Sequence, residues 1–272
     1  MHPHQRTYLA AILLLGSFFV QGVVAQPFTL AFGSCLKPWQ PQPVWQGLLA
    51  TSPDALLLLG DNVYSDAGPY RDQEEPQRIA RAYADLANHP DWRQFRATPL
   101  PLYATWDDHD YGRNDGGAEY PWKVASKAAF MAFFQIPATA PMRSREGIYS
   151  AHLLRHGERR IQLILLDTRT FRSPLQRAAP TLSCPRINLI PSRDPDATLL
   201  GEAQWQWLAR QLREPADLRL IATSIQFIPD QHCYEKWANF PHERERLLDL
   251  IATSGAQRVI LLSGDRHHAE LS

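Results

Sequence analysis

The sequence has little of several features that would assign a protein to a familiar class. Its 28 basic and 28 acidic side chains leave no formal net charge, so the composition favours neither a nucleic-acid partner nor an anionic membrane surface. It has no internal repeats and no low-complexity tracts, which excludes repeat and fibrous architectures. Its 272 residues are instead enough to bury a large core in one domain.

The chain also lacks an N-terminal apolar run long enough for a membrane span of about 20 residues. The run over residues 9–20 follows a weakly basic start and precedes Val23-Val24-Ala25, which is the pattern of a secretory signal peptide. We therefore predict a signal peptide over residues 1–25, a mature domain over 26–272 and a periplasmic or secreted location. A membrane anchor is the alternative, and after cleavage no membrane span would remain.

Cysteine is scarce, and its odd number raises the question of which thiol stays free. Cys35 follows a predicted strand, whereas Cys184 and Cys233 lie in polar segments that read as loops. Because disulfides persist in exported proteins, we predict a disulfide between Cys184 and Cys233 and a Cys35 that binds metal. Three unpaired thiols are the alternative.

Four predicted strands end in side chains that can bind a metal ion. The apolar run over residues 55–59 is typical of a strand buried on both faces, and it leads into Gly60, Asp61 and Tyr64. Three further buried strands lead into Gly33-Ser34-Cys35, Asp107-Asp108-His109-Asp110 and Gly264-Asp265-Arg266-His267-His268. Because α/β sheets build their sites at the carboxyl ends of strands, we expect a metal centre at this edge.

Helical patterns alternate with the strands. The periodicity predicts helices over residues 44–50, 73–88, 122–134, 202–212 and 241–253, a hairpin of strands 147–155 and 160–166, a strand over 218–223 and a long loop over 171–199. Glu74 and Glu75 would lie early in the second helix. This order predicts an α/β fold with a layered sheet covered by helices. The chain ends at Ser272, soon after the last strand, so we also consider a C-terminally truncated sequence.

The residue types at the strand ends suit a pair of metal ions. Asp61 can bridge two ions because each oxygen of its carboxylate can bind one. Tyr64, three residues further on, and Cys35 can bind one of these ions as phenolate and thiolate. A phenolate ligand favours a ferric ion, which holds the phenol deprotonated well below its free pKa of about 10.

These motifs resemble those of a known family. Gly60-Asp61-Asn62-Val63-Tyr64, Trp106-Asp107-Asp108-His109-Asp110 and Gly264-Asp265-Arg266-His267, with Gly33-Ser34-Cys35 before them and the segment 235–244, are similar to motifs of the PhoD-like alkaline phosphatases. That family is a branch of the calcineurin-like metallophosphoesterases. The resemblance implies a four-layer α/β/β/α sandwich and a dinuclear centre of Fe³⁺ and Ca²⁺, with other divalent metals as alternatives. It also implies an exported phosphodiesterase or alkaline phosphatase, in which a metal-bound hydroxide attacks a small phosphate ester.

The resemblance implies roles for individual residues when they are matched by position. Asp61 would bridge the two ions, and Asp108 and Asp265 would bind the second ion, whose oxygen-rich ligands suit calcium. His267 would bind the first ion with Cys35 and Tyr64. His109 would protonate the leaving group or contact the phosphate.

Arg169 is a further catalytic candidate beside His109 and Asp108, and four other residues are weaker candidates. Arg169 follows the 160–166 strand and is predicted to clamp a phosphate oxygen; a structural ion pair with Asp167 or another carboxylate is the alternative. Asp107 and His268 adjoin predicted ligands, and the alternation of side chains along a strand predicts that both face away from the ions and hold the ligands in place instead of binding metal. Asn62 is a ligand or a turn residue, and Trp237 lines the substrate entrance or packs beneath its loop.

Two other functions stay open at this stage. One is a nucleotide-cleaving hydrolase, which would need a base-stacking pocket that the sequence does not locate. The other is a catalytically silent or truncated metal-binding protein on the same fold. The sequence predicts neither the physiological substrate nor the oligomeric state.

Overall fold

The N-terminal half of the chain builds a three-stranded parallel sheet. A computed structural model describes residues 27–272, so the predicted signal peptide lies outside the described residues. Strands β1 (Leu30–Gly33), β2 (Ala55–Leu59) and β3 (Leu102–Thr105) pair in the order β1-β2-β3. Gly33 lies opposite Leu58, and Leu59 lies opposite Thr105. The carboxyl ends of all three strands therefore meet at one edge of the sheet.

The C-terminal half builds a second sheet of four strands. Strands β4 (Ser150–His156) and β5 (Arg159–Leu165) form the predicted antiparallel hairpin. Strands β8 (Leu218–Thr223) and β9 (Val259–Ser263) extend it in parallel, giving the order β4-β5-β8-β9. The long loop predicted over 171–199 contains a separate short ribbon, β6 (Gln176–Arg177) with β7 (Leu189–Ile190).

Seven α-helices lie in the described residues, and five of them fall in the predicted segments. They are α1 (Val44–Ala50), α2 (Gln77–Asn88), α3 (Pro90–Arg96), α4 (Asp108–Tyr111), α5 (Lys123–Phe133), α6 (Gly201–Gln211) and α7 (Pro241–Thr253). The prediction for α2 began too early. A residue that precedes proline is disfavoured in helical backbone, so Glu75 and Glu74 lie before Pro76 and outside the helix.

Alternate side chains of the central strand β2 face different apolar clusters. Leu57 and Leu59 pack against side chains of β5 and β8, which places them between the two sheets. Leu56 and Leu58 pack on the other side, against helices α1, α2, α3 and α5. Helices α6 and α7 pack against the outer side of β5 and β8. Because each such leucine stabilises the fold by roughly 1.5–3 kcal/mol, β2 is held rigidly.

Strands β1 and β9 differ from the prediction that all four site-forming strands are buried. Each has one neighbouring strand, because β1 ends the first sheet and β9 ends the second. Their side chains are therefore partly exposed, with Phe32 55% and Ile260 47% accessible to solvent.

Two sequence predictions about covalent and membrane features can be compared with the structure. Cys184 and Cys233 form the predicted disulfide, and Cys35 is a free thiol. Over residues 27–272 no helix combines the length and the apolar character that crossing a membrane requires.

Candidate metal centre

The four strand ends bring their polar side chains together around Asp61. Three groups of residues that share Asp61 each offer ligand atoms within 4.8 Å of one another: Cys35 with His267, Asp108 with His109, and Asp107 with Asp265. Asp61 is buried, as expected for a carboxylate at the tip of the central strand. Asp61 belongs to all three groups, and a ligand that bridges two ions needs such a central position.

The backbone adopts left-handed conformations at these strand ends. The φ angles are 67° at Cys35, 51° at Asp61, 72° at Asp265 and 48° at His267. Such conformations are unfavourable for residues with a side chain and persist where the surrounding structure holds them, often at functional sites. Gly60 turns the chain just before Asp61 with a φ of 105°, and a Cβ there would lie 2.6 Å from Cβ of Asp107. Only glycine fits this turn.

One side of the centre contains the thiol, the phenol and an imidazole. Sγ of Cys35 lies 3.6 Å from Oδ2 of Asp61, and the hydroxyl of Tyr64 lies 2.7 Å from Nε2 of His267. Burial, and then the charge of Asp61, raise the pKa values of Cys35 and Tyr64 above their ordinary values. A bound cation has the opposite effect on the pKa of a ligand, so an ion held here would favour the thiolate and the phenolate.

The other side of the centre is rich in buried carboxylates. Burial raises the pKa of Asp61 and the pKa of Asp107, and it raises the pKa of Asp265 to about 7, with Asp108 adding repulsion. The pKa of Asp108 is lowered, because His109 and Arg169 outweigh its burial. One oxygen of Asp107 and one of Asp108 are buried without a hydrogen bond. Such oxygens fit a cation, which would satisfy them and relieve the repulsion.

A further group of possible ligands lies beside Asp108 and was not predicted. Asp108, Asp115 and Glu235 offer atoms within 4.8 Å of one another, and the backbone N–H of Asp115 donates to Oδ2 of Asp108 at 2.7 Å. Glu235 already has counter-charges, since its carboxylate pairs with Arg169 at 2.5 Å and with Arg172 at 2.9 Å. Both missed acids lie in segments noted in the sequence, the loop after the third strand and the stretch 235–244.

Arg169 forms buried ion pairs, which was the alternative to a phosphate clamp. Its guanidinium is 1% exposed, and its Nε donates to Oδ1 of Asp107 at 2.7 Å. It also pairs with Glu235. Asp167, the partner considered from the sequence, accepts a hydrogen bond from the backbone N–H of Arg169 at 2.9 Å. The geometry therefore argues against a phosphate clamp, because the donors of the guanidinium are occupied by buried acceptors.

His109 is held between an acid and an aromatic ring. Its Nδ1 lies 2.5 Å from Oδ1 of Asp66, and its ring stacks on Tyr64 with centroids 4.1 Å apart. Burial alone would lower the pKa of His109, but the charge of Asp108 and the hydrogen bond with Asp66 raise it to about 10. Sequence reasoning missed Asp66, whose only signal was its place in the polar loop after Tyr64.

The remaining weaker candidates have different surroundings. Asn62 acts in the turn, where its Nδ2 donates to the carbonyl of Thr105 at 2.8 Å and to Asp110. Trp237 is 0% exposed and packs in the core, donating from Nε1 to Oγ1 of Thr223 at 2.9 Å, so it does not line the entrance.

His268 and Asp107, which were expected to act alike, lie in different places. His268 is exposed, and its Nδ1 lies 2.7 Å from the carbonyl of Arg266, outside the groups around Asp61. Asp107 is fully buried and faces Asp61 and Asp265, so it lies nearer the centre than expected. The alternation argument failed for Asp107 because the strand has already ended at Thr105.

Comparisons with known proteins show which family the chain resembles in sequence and which fold it shares. The sequence model of the family described as PhoD-like phosphatase matches residues 30–272. Alkaline phosphatase D of Bacillus subtilis (strain 168) is 25% identical over 280 residues, which cover 90% of this chain and 47% of that protein. The solved structure titled "Structure of PhoD" has a similar fold, with a TM-score of 0.63 at 23% identity, over 88% of this chain and 51% of that one. The chain thus spans about half the length of these two relatives.

Proposed function

This chain belongs to the PhoD-like phosphatase family, and we propose that it hydrolyses small phosphoric esters at a dinuclear metal centre. The observation that carries the proposal is the place of Asp61 in three groups of ligand atoms, each within 4.8 Å. A carboxylate so placed can be shared between two cations. Phosphomonoesters and phosphodiesters are the two proposed classes of substrate.

We propose that each ion has its own set of ligands around the shared Asp61. Cys35, Tyr64 and His267 would hold Fe³⁺, because thiolate, phenolate and imidazole suit a transition metal. Asp108 and Asp265 would hold Ca²⁺, which prefers oxygen. When bound, the two ions would supply Lewis-acid charge to the phosphate and lower the pKa of water.

The protein's own groups would prepare the site for the ester. Asp66 orients the imidazole of His109 through Nδ1, which leaves Nε2 to donate a proton to the leaving-group oxygen. The Arg169 ion pair holds Asp107 against the centre, so the carboxylates stay in place when no ion is bound. Burial of Asp61 and Asp108 would strengthen the attraction between these carboxylates and the bound cations.

We also propose the four-layer α/β/β/α arrangement and export as the setting of this function. The layers are supported by the three apolar clusters, which lie between helices and first sheet, between the two sheets, and between second sheet and helices. Export is supported by the Cys184–Cys233 disulfide, because disulfides are rare in reducing compartments.

The test combines metal analysis with hydrolysis of two model esters. The purified chain is expected to contain two metal ions per molecule and to cleave p-nitrophenyl phosphate, bis-p-nitrophenyl phosphate or both. Asp61→Asn should lose metal and lower kcat by at least about 100-fold, because both ions lose a shared ligand. Asp196→Asn is the matched control, since Asp196 is exposed and remote from the groups around Asp61. A folded wild-type protein without bound metal, or one that cleaves neither ester, would contradict the proposal.

A further inference from the structure

Lys37 is a half-buried cation beside the proposed centre. Its Nζ lies over the ring of Tyr64, 5.3 Å from the centroid. Tyr64 in turn contacts both histidines of the site, stacking on His109 and sharing a hydrogen bond with His267. The ammonium group therefore lies next to the groups that would surround a bound phosphate.

The backbone of Lys37 is fixed relative to the centre. The N–H of Cys35 donates to the carbonyl of Gly60 at 3.3 Å, and the N–H of Leu36 donates to the carbonyl of Asp61 at 2.8 Å. Two residues beyond Lys37, Trp39 packs its edge against Tyr64 with ring centroids 6.4 Å apart. Because these contacts already order the turn, Lys37 loses little backbone entropy when its charge binds a ligand.

Lys37 also lacks the counter-charges that the buried arginines Arg169 and Arg172 have. Arg169 and Arg172 are buried and both pair with Glu235. In the part of the chain that the structure describes, Nζ of Lys37 makes neither a hydrogen bond nor an ion pair. An ammonium group is a strong donor with three N–H bonds, so an unpaired one beside a metal centre is suited to an anion.

We propose that Lys37 binds a non-bridging oxygen of the substrate phosphate, an inference that rests on the proposed function. This is the role that the sequence suggested for Arg169, whose guanidinium is occupied. Lysine binds phosphate as a point charge, which requires only that Nζ reach one oxygen. The four-carbon stem of Lys37 allows that reach, because it swings while the backbone stays fixed.

The experiment measures binding of inorganic phosphate to the metal-loaded chain by isothermal titration calorimetry. Lys37→Met removes the charge and keeps most of the apolar stem, and its Kd for phosphate is expected to rise at least about tenfold, the usual effect of losing a hydrogen bond to a charged group. Lys37→Arg should recover most of the affinity. Lys123→Met is the control, because Lys123 pairs with Glu146 at the surface. Metal content by elemental analysis should be the same in all four proteins.

The outcomes separate this proposal from the proposed function. An unchanged Kd in Lys37→Met, or no phosphate binding by the metal-loaded wild type, would overturn the role of Lys37. Loss of metal in Lys37→Met would overturn it as well, because the lysine would then support the centre itself. The wild type could bind phosphate more tightly than Lys37→Met and yet cleave neither model ester. That result would contradict the proposed hydrolysis and support the role of Lys37 in binding phosphate. With active protein, KM should rise more than kcat falls.

Discussion

The hydroxyl of Tyr64 lies 2.7 Å from Nε2 of His267, although 203 positions separate the two residues in the chain. Tyr64 follows β2 of the first sheet and His267 follows β9 of the second. The contact therefore joins the two sheets at their site-forming edges. A phenol and an imidazole that share a hydrogen bond are close enough to bind one ion, so the proposed iron site would depend on both halves of the chain.

The first prediction concerns this phenol. Iron-loaded wild-type protein is expected to show visible charge-transfer absorption from the phenolate of Tyr64 and the thiolate of Cys35 to the ferric ion, and Tyr64→Phe should lose the phenolate part of that absorption. The absorption spectrum of the iron-loaded protein measures it directly. Tyr70→Phe is the control, since the Tyr70 hydroxyl donates to Asp85 at 2.9 Å instead of facing the centre. A visible spectrum that is unchanged in Tyr64→Phe would remove the phenolate from the ligand set.

The second prediction concerns the stability of the metal-free protein at different pH values. Burial raises the pKa of Asp265 from 3.8 to about 7. The folded protein therefore binds more protons than the unfolded chain between these values, and the stability that Asp265 contributes is lost as pH rises toward about 7. Asp265→Asn removes this loss. With a chelator present, the variant should unfold at the same temperature as wild type near pH 4 and at a higher temperature at pH 8.

Thermal unfolding followed by circular dichroism checks the pH prediction. For a chain of this size each kcal/mol corresponds to about 2–4 °C, so the gain at pH 8 is measurable. Metal should reverse the order at pH 8, because a bound cation stabilises the ionised carboxylate of the wild type. Equal unfolding temperatures for the two metal-free proteins across the range would show that Asp265 is not held in a repulsive, buried setting.

The third prediction concerns the disulfide. Cys184 and Cys233 are 49 positions apart, and a cross-link of that loop length lowers the entropy of the unfolded chain by the equivalent of about 4 kcal/mol at most. The double variant Cys184→Ser/Cys233→Ser should therefore unfold at lower urea concentration. Reductant should destabilise the wild type and Cys35→Ser, and leave the double variant unchanged. Destabilisation of the double variant by reductant would contradict the assigned pairing.

The fourth prediction separates Arg169 from Lys37. Arg169→Met leaves Asp107 buried without its cation and removes one of the two cations that pair with Glu235, and breaking such a buried pair costs about 3–5 kcal/mol of unfolding free energy. Arg177→Met should cost about 0–1 kcal/mol, because Arg177 makes an exposed ion pair with Asp115. Urea unfolding of both variants measures the difference. An Arg169→Met protein as stable as wild type, with a raised KM, would restore the phosphate clamp.

Local sequence patterns predicted most of the elements. The predicted bounds of α1, α7 and β8 match the structure, because a helical stripe or an unbroken apolar run is a property of neighbouring residues. Helix α4 was missed, since four residues are too few to show a period. The exposure of β1 and β9 was missed as well, because an edge strand and a central strand can carry the same apolar residues.

The sequence by itself determined which chemistry the chain can do: it placed a thiol, a phenol, carboxylates and imidazoles directly after strands, and parallel strands deliver their ends to one edge. The tertiary structure alone decided how those groups are partnered. In the folded protein Arg169 pairs with Asp107 and Glu235, Asp66 contacts Nδ1 of His109, and Asp115 and Glu235 lie beside Asp108. Lys37 lies over Tyr64 and has no ion pair within residues 27–272. The physical reason is that strand formation follows from adjacent residues, whereas ion pairs and hydrogen bonds join residues that only the packing of two sheets brings within a few ångströms.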